Sequence, residues 1–311
     1  MVKTRAARAG NLKTGSKAMY AIETNGLTKF YGKARGVQGL TLHVEEGDFF
    51  GFMGPNGAGK STTIRTLLGL IAQSSGSARV LGCDVRRERD KLLRDVGYLP
   101  SEAAFYHGMS VKEVLRLSAR LRGRDCDAEA RALCDRLELD GNRRVDELSL
   151  GNRKKVGIVC AMQHRPRLYI MDEPTSGLDP LMQREFFALL KERNDEGATV
   201  FLSSHVLSEV QRYCRHAAII REGRLLKCDS VESLAHTDAR RVTLRGVTQP
   251  PALSGVRSAE VRGDAVTFLY SGDLKQLLST LAAMPVSDVT MTEPDLEEIF
   301  MHYYTGEEAA Q

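Results

Sequence analysis

The chain has no stretch able to span a bilayer. Its longest segment free of charged residues runs from Thr66 to Ala78, 13 residues, against about 20 for a transmembrane helix. It has no C-x-x-C pair: Cys83, Cys126, Cys134, Cys160, Cys214 and Cys228 are scattered. That spacing excludes a zinc ribbon and reads as reduced, cytosolic thiols. The seven histidines form no H-x-x-x-H cluster. There is no internal repeat and no low-complexity linker. Acid is missing from the first 20 residues, which carry Lys3, Arg5, Arg8, Lys13 and Lys17. These five cations more than account for the formal net charge of +4, so the remainder is close to neutral. A broad nucleic-acid footprint is therefore not expected. Residues 1–19 read as a disordered, solvated tail, with weak attraction to anionic lipid as the other reading. Without an apolar core segment the tail does not read as a signal peptide.

What is present is enough for one large domain and a smaller one: 311 residues, 42% of them apolar. Residues 20 to 52 alternate apolar stretches with glycine-containing turns and read as strands. Phe49-Phe50-Gly51-Phe52-Met53 reads as a short buried strand, and Thr63 to Leu68 as the start of a helix. Between them stands Gly54-Pro55-Asn56-Gly57-Ala58-Gly59-Lys60-Ser61-Thr62. It fits the phosphate-loop pattern G-x-x-x-x-G-K-[ST] in the strand–loop–helix setting that gives the pattern meaning. Glycines let successive N–H groups point into one concavity, and the helix N-terminus adds partial positive charge. Lys60 brings a full charge to the outer phosphates, and the Ser61 hydroxyl can ligate Mg²⁺.

A second cluster, Leu168-Tyr169-Ile170-Met171-Asp172-Glu173-Pro174, reads as a buried strand delivering carboxylates at its C-terminal end. Asp172 would help hold Mg²⁺, directly or through water, and Glu173 would accept a proton from, or polarise, the attacking water. An acidic turn is the bland reading of this segment; a phosphate loop in the same chain outweighs it. Thr199-Val200-Phe201-Leu202 reads as a further strand. Strands alternating with helices predict a mainly parallel sheet covered on both faces. After Ser101 the pattern is helical to about Glu147, with a Ser110-x-x-Glu113 capping box. After about His236 the character becomes α+β. Strands are expected at 242–244 and 289–291, a hairpin over Val261–Val266, and a helix with Leu274, Leu277, Leu278 and Leu281. A last helix is expected to open at Pro294, with Leu296, Ile299, Phe300 and Tyr303 on one face.

The order of these motifs makes the chain resemble the ATP-binding subunits of ABC transporters. Leu148-Ser149-Leu150-Gly151-Asn152, 20 residues before Asp172, is similar to that family's Leu-Ser-Gly-Gly-Gln signature. His205 follows in Leu202-Ser203-Ser204-His205. The resemblance covers about 20–235 and implies an α/β fold. This would be a P-loop NTPase (ABC ATPase) core with an antiparallel β subdomain and a helical subdomain at about 101–147, plus the small C-terminal α+β domain at 236–311. It implies ATP and Mg²⁺ as cofactors, with Tyr31 stacking on adenine and Gly54 to Thr62 wrapping the triphosphate. Ser149 and Gly151 would meet the γ-phosphate of ATP held by a second subunit. Asp179, in Ser176-Gly177-Leu178-Asp179, would lie in the loop crossing that interface. His205 would contact the γ-phosphate and position water, and Lys60, Glu173 and His205 would carry the chemistry. Expected partners are a second copy, closed over shared ATP, and a separately encoded transmembrane permease. That places the chain peripherally on the cytoplasmic face of the membrane, and no nucleic acid is expected.

Two departures stand out. The family's Gln after Gly-Tyr-hydrophobic-Pro is replaced by Ser101, followed by Glu102. The sequence suggests Glu102 as substitute metal contact, or a contact through water, and the ordering Glu102→Ala worse than Ser101→Ala. Leu150 and Asn152 replace Gly and Gln in the signature, while Ser149 and Gly151 are retained. The segment Glu293 to Phe300 is similar to one ending many ATPase subunits of ABC-2-type exporters. A soluble ABC protein acting on ribosomes or DNA is the alternative; the single phosphate loop and the short motif spacing argue against it. A non-hydrolysing module is disfavoured by the presence of Glu173 and His205.

Overall fold

The computed structural model describes residues 19–32, 34–235 and 239–293. The N-terminal half opens with β1 (Tyr20–Tyr31), β2 (Ala34–Glu45) and β3 (Phe49–Met53), then α1 (Lys60–Leu67), β4 (Ser75–Val80), β5 (Cys83–Asp84), α2 (Arg89–Leu92) and β6 (Val96–Leu99). Four of these strands form an antiparallel sheet in the order β2-β1-β4-β5. It packs Ile22, Leu27, Leu40 and Val44 onto Phe50, Phe52, Ile64 and Phe201. Each such side chain taken fully from water contributes roughly 1.5–3 kcal/mol.

Three helices follow: α3 (Val111–Leu121), α4 (Asp127–Arg136) and α5 (Leu150–Met162). The capping box forms as expected, with Glu113 N–H donating to Ser110 Oγ at 3.3 Å and Ser110 N–H to Glu113 Oε2 at 2.7 Å. Then come β7 (Leu168–Asp172), α6 (Pro180–Asp195), β8 (Thr199–Ser204), α7 (Leu207–Tyr213), β9 (His216–Arg221), β10 (Arg224–Ser230) and α8 (Val231–Ala235). The central sheet runs β10-β9-β3-β8-β7-β6. It is parallel from β9 to β6, and only β10 pairs antiparallel. Every residue of β3, β7 and β8 is buried, as continuous apolar runs in a doubly covered sheet require. Phe49 and Met53 face the cluster built on α5 and α6, and Phe50 and Phe52 face the antiparallel sheet.

Register fixes the chemistry. Met53 pairs with Ser204, Asp172 with Ser203 and Leu99 with Met171. The phosphate loop, Asp172-Glu173, Ser204-His205 and Pro100-Ser101 therefore all leave one edge of the sheet side by side.

Beyond residue 239 lie β11 (Arg240–Arg245), β12 (Val256–Arg262), β13 (Ala265–Tyr270), α9 (Leu274–Ala282) and β14 (Asp288–Thr292). Their antiparallel sheet, β12-β13-β11-β14, and α9 enclose a separate core of Val242, Leu244, Val266, Phe268, Leu277 and Leu281. The expected hairpin closes Arg262 onto Ala265 through Gly263-Asp264. The helix read from Pro294, residues 1–18 of the tail and the change of character near His236 lie outside the described residues.

Candidate functional site

The phosphate loop is shaped by contacts that exclude side chains. A Cβ on Gly54 would lie 2.4 Å from the Ile220 carbonyl oxygen. Gly59 has φ +106, and a Cβ there would meet Gly36 O at 2.7 Å. Helix α1 starts at Lys60 with no side chain capping it. Its first N–H groups and the positive end of its dipole are left for an anion. The loop bounds a cavity of ≈ 280 Å³ lined by Gly36, Pro55, Asn56, Gly57, Gly59, Lys60, Ser61, Thr62, Ser101 and Glu173.

Charge in this cavity is arranged around Glu173. The Lys60 ammonium donates to the carbonyls of Gly54 at 2.6 Å and Pro55 at 3.2 Å, and pairs with Glu173 Oε1 at 3.1 Å. His205 Nδ1 lies 3.3 Å from the other oxygen, Oε2. Burial pushes the Glu173 carboxyl up, but the hydrogen bond and charge of Lys60, aided by His205, outweigh it and hold the group below the ordinary glutamate value. Glu173 also has φ +47. A left-handed backbone at a long side chain costs about 1–3 kcal/mol and is kept only where surroundings enforce it.

Asp172 is fully buried. Its Oδ1 accepts from Ser203 Oγ at 2.6 Å, while Oδ2 is buried with no partner. A buried carboxylate oxygen left over is costly unless something cationic or a water meets it. Ser61 lines the cavity and Asp172 lies outside its lining, and both offer only oxygen as donor atoms. Among the described residues no three His, Cys, Asp or Glu side chains cluster as a metal cage. One carboxylate, one hydroxyl and the substrate's phosphates suit Mg²⁺, which keeps several waters.

The other expected residues fall into distinct places. Gly54 and the buried Ala58 shape the loop from beneath. Tyr31 is half exposed and packs near Gly36 and Thr62, since a Cβ on Gly36 would meet Tyr31 Cε2 at 3.2 Å and Thr62 Cγ2 at 3.1 Å. Ser149 caps α5, accepting from Asn152 N–H at 3.3 Å. Asp179 caps α6, accepting from Leu181 and Met182 N–H at 3.0 Å each, with Pro180 behind it. Gly151 and Gly177 bring these two segments together; a Cβ on Gly151 would lie 2.9 Å from Gly177 O. Neither Ser149 nor Asp179 lines the cavity. At the departure from the family pattern, Ser101 is on the cavity wall, whereas Glu102 is exposed and outside it.

Two residues escaped the sequence reading. Gly36 forms part of the cavity wall; a glycine inside a strand pattern, which signals close approach of another backbone, was its cue. Lys154 is 3% exposed and donates to Pro100 O at 3.3 Å, Ser101 O at 2.8 Å and Glu173 O at 3.1 Å. Burial pulls its ammonium below the ordinary lysine range, against the opposing pull of Asp172, Glu173 and Glu102. Its cue was position: it begins an otherwise apolar stripe with Gly157, Ile158 and Ala161.

Comparison with known proteins fits this geometry. The family model described as ABC transporter matches residues 37–176. The chain is 34% identical to the bacitracin transport ATP-binding protein of Bacillus licheniformis, covering 92% of this chain and 97% of that protein. It is 31% identical to Nod factor export ATP-binding protein I of Paraburkholderia xenovorans, covering 93% and 98%. A solved structure of an ATP binding subunit of an ABC transporter matches at TM-score 0.65 and 30% identity, over 69% of this chain and 91% of that one.

Proposed function

The chain belongs to the ABC transporter ATP-binding proteins and is an ATPase, and from that premise we propose that it powers an exporter as a homodimer beneath a separately encoded membrane permease. The observation that carries this reading is the cavity itself. One chain supplies a phosphate loop, a general base and a buried carboxylate on one side only. The helix N-termini at Ser149 and Asp179 stand outside, flanked by the exposed Leu150 and Leu181. A second copy laid head to tail would close the open side with its own Ser149 and Gly151. That excludes water and adds N–H donors where charge develops.

Hydrolysis then follows from named groups. Lys60 turns from the Gly54 and Pro55 carbonyls to the incoming phosphates. This frees Glu173, whose carboxylate takes a proton from water as the water oxygen bonds to the γ-phosphorus and the bond to ADP breaks. His205, beside Glu173 Oε2, holds that water and the γ-phosphate in line. Asp172 and Ser61 would hold Mg²⁺, which neutralises phosphate charge when bound. Tyr31 stacks on the base.

The export reading is supported by the relatives named for export and transport. Among the described residues no helix is long and apolar enough to cross a membrane. The α3–α4 region offers exposed Tyr106 and Leu121 as the docking face for the permease. On this reading the chain works at the cytoplasmic surface of the membrane. The test is co-expression with candidate permeases followed by purification from solubilised membranes. Retention of the chain on a permease supports the reading, and a chain found only in the soluble fraction contradicts it.

A further inference from the structure

Lys154 joins three parts of the chain that the proposed mechanism treats separately. It sits on the signature helix α5, five residues after Ser149. Its three acceptors are Pro100 and Ser101, at the departure segment after β6, and Glu173, after β7. An ammonium has three N–H donors, and all three are spent on main-chain carbonyls. None of the ion pairs among the described residues involves Lys154.

The neighbourhood shows what those bonds accomplish. Among the described site residues, Glu173 is the one non-glycine in a left-handed backbone conformation, φ +47. Its peptide N–H donates to Ser203 O at 3.1 Å, which ties it to β8. Its carbonyl is tied to α5 by Lys154. The residue is thus held at both ends of its strained turn, and the carboxylate direction follows from that turn. The same ammonium grips the carbonyl of Ser101, a residue that lines the phosphate cavity. A shift of Ser101 therefore pulls on the group that fixes Glu173. Helix α5 and β6 are in close contact here: a Cβ on Gly157 would meet Leu99 Cδ1 at 2.9 Å, and one on Gly97 would meet Ala161 O at 2.2 Å. The junction has little slack.

We propose that Lys154 is a positioning residue for hydrolysis, locking the aim of Glu173 to the position of the Ser101 segment and of the signature helix. It does not line the phosphate cavity, so its role is separable from ATP binding. The proposal rests on Glu173 acting as the base.

The test is a double-mutant cycle on the full chain with ATP and Mg²⁺, combining Lys154→Met with Glu173→Gln. Lys154→Met should lower kcat about tenfold or more, because small misplacement of a catalytic group is that costly. The KM for ATP should stay within about twofold, since uniform binding is untouched. In the Glu173→Gln background, followed in single-turnover mode, Lys154→Met should cost nothing further, as residues acting through one group are not additive. Lys154→Gln, which keeps two donors, carries the same cycle if the Met variant does not fold. A wild-type kcat in the Lys154 variants, a loss confined to KM, or a multiplicative loss in the double variant would each overturn the proposal. If Glu173→Gln itself keeps the wild-type rate, the base assignment fails and this inference fails with it. If only the Lys154 arm fails, the base assignment stands.

Discussion

The Lys60 ammonium is bound to Glu173 Oε1 at 3.1 Å, so the cation of the phosphate loop and the carboxylate after β7 offset each other's charge. If Glu173 acts as the proposed base, this pairing would restrain it until phosphates draw Lys60 away. Removing the lysine should release Glu173 yet abolish function. Lys60→Met is expected to weaken ATP binding at least about tenfold, through loss of charge-assisted bonds to phosphate. Isothermal titration with a slowly hydrolysed ATP analogue measures this. Binding at wild-type affinity would show that Lys60 does not reach the phosphates.

The departure segment gives a second test, and the structure reverses the order suggested by sequence. Ser101 lines the cavity and Glu102 does not. Ser101→Ala is expected to lower kcat more than Glu102→Ala, the latter staying within about twofold of wild type as exposed substitutions usually do. Steady-state phosphate release from both variants decides it. A larger loss for Glu102→Ala would restore the role first read for Glu102.

Gly151 tests the contact between the signature helix and the loop before α6. A methyl group there would lie 2.9 Å from Gly177 O, tighter than real side chains tolerate. Gly151→Ala is therefore expected to displace the Gly177 loop and cut hydrolysis about tenfold, with ATP binding by the phosphate loop unchanged. Paired titration and turnover measurements separate the two effects.

His164 carries a pH signature away from the site. It is buried against Arg122, whose Nε donates to its Nε2 at 3.1 Å. Burial first, and the Arg122 charge second, push its pKa down to about 3. The folded state then refuses a proton that the unfolded chain accepts below the ordinary value of 6.5. This contribution to stability is complete above pH 6.5 and is lost as pH falls from there toward 3. The slope is about 1.4 kcal/mol per pH unit below 6.5. Denaturation of wild type and His164→Gln from pH 7 to 5 should show a shallower decline in the variant. Parallel curves would contradict the assignment.

Much of this site was legible because its parts are local in sequence. The phosphate loop, the buried run ending at Asp172 and the Ser110 capping box each announce themselves within ten residues. The parallel sheet then brings separate ends together, as alternating strands and helices foretold. What sequence did not disclose depends on register and on where side chains reach. Lys154 stands in Arg153-Lys154-Lys155; helical spacing marks the middle cation as core-facing, but which carbonyls it reaches depends on the packing of α5 on β6. The strained φ of Glu173 has no composition signal. Glu102 looked suitable by charge, but Ser101 is the residue that lines the cavity.

The central claim is that one chain supplies half of a catalytic site and ATP joins two copies. Light scattering on the Glu173→Gln variant of this chain, in which bound ATP is expected to persist, tests it most directly. The account predicts one chain mass, 34.3 kDa, without nucleotide and twice that mass with saturating ATP and Mg²⁺. A particle that stays at one chain mass while ATP is demonstrably bound would contradict it.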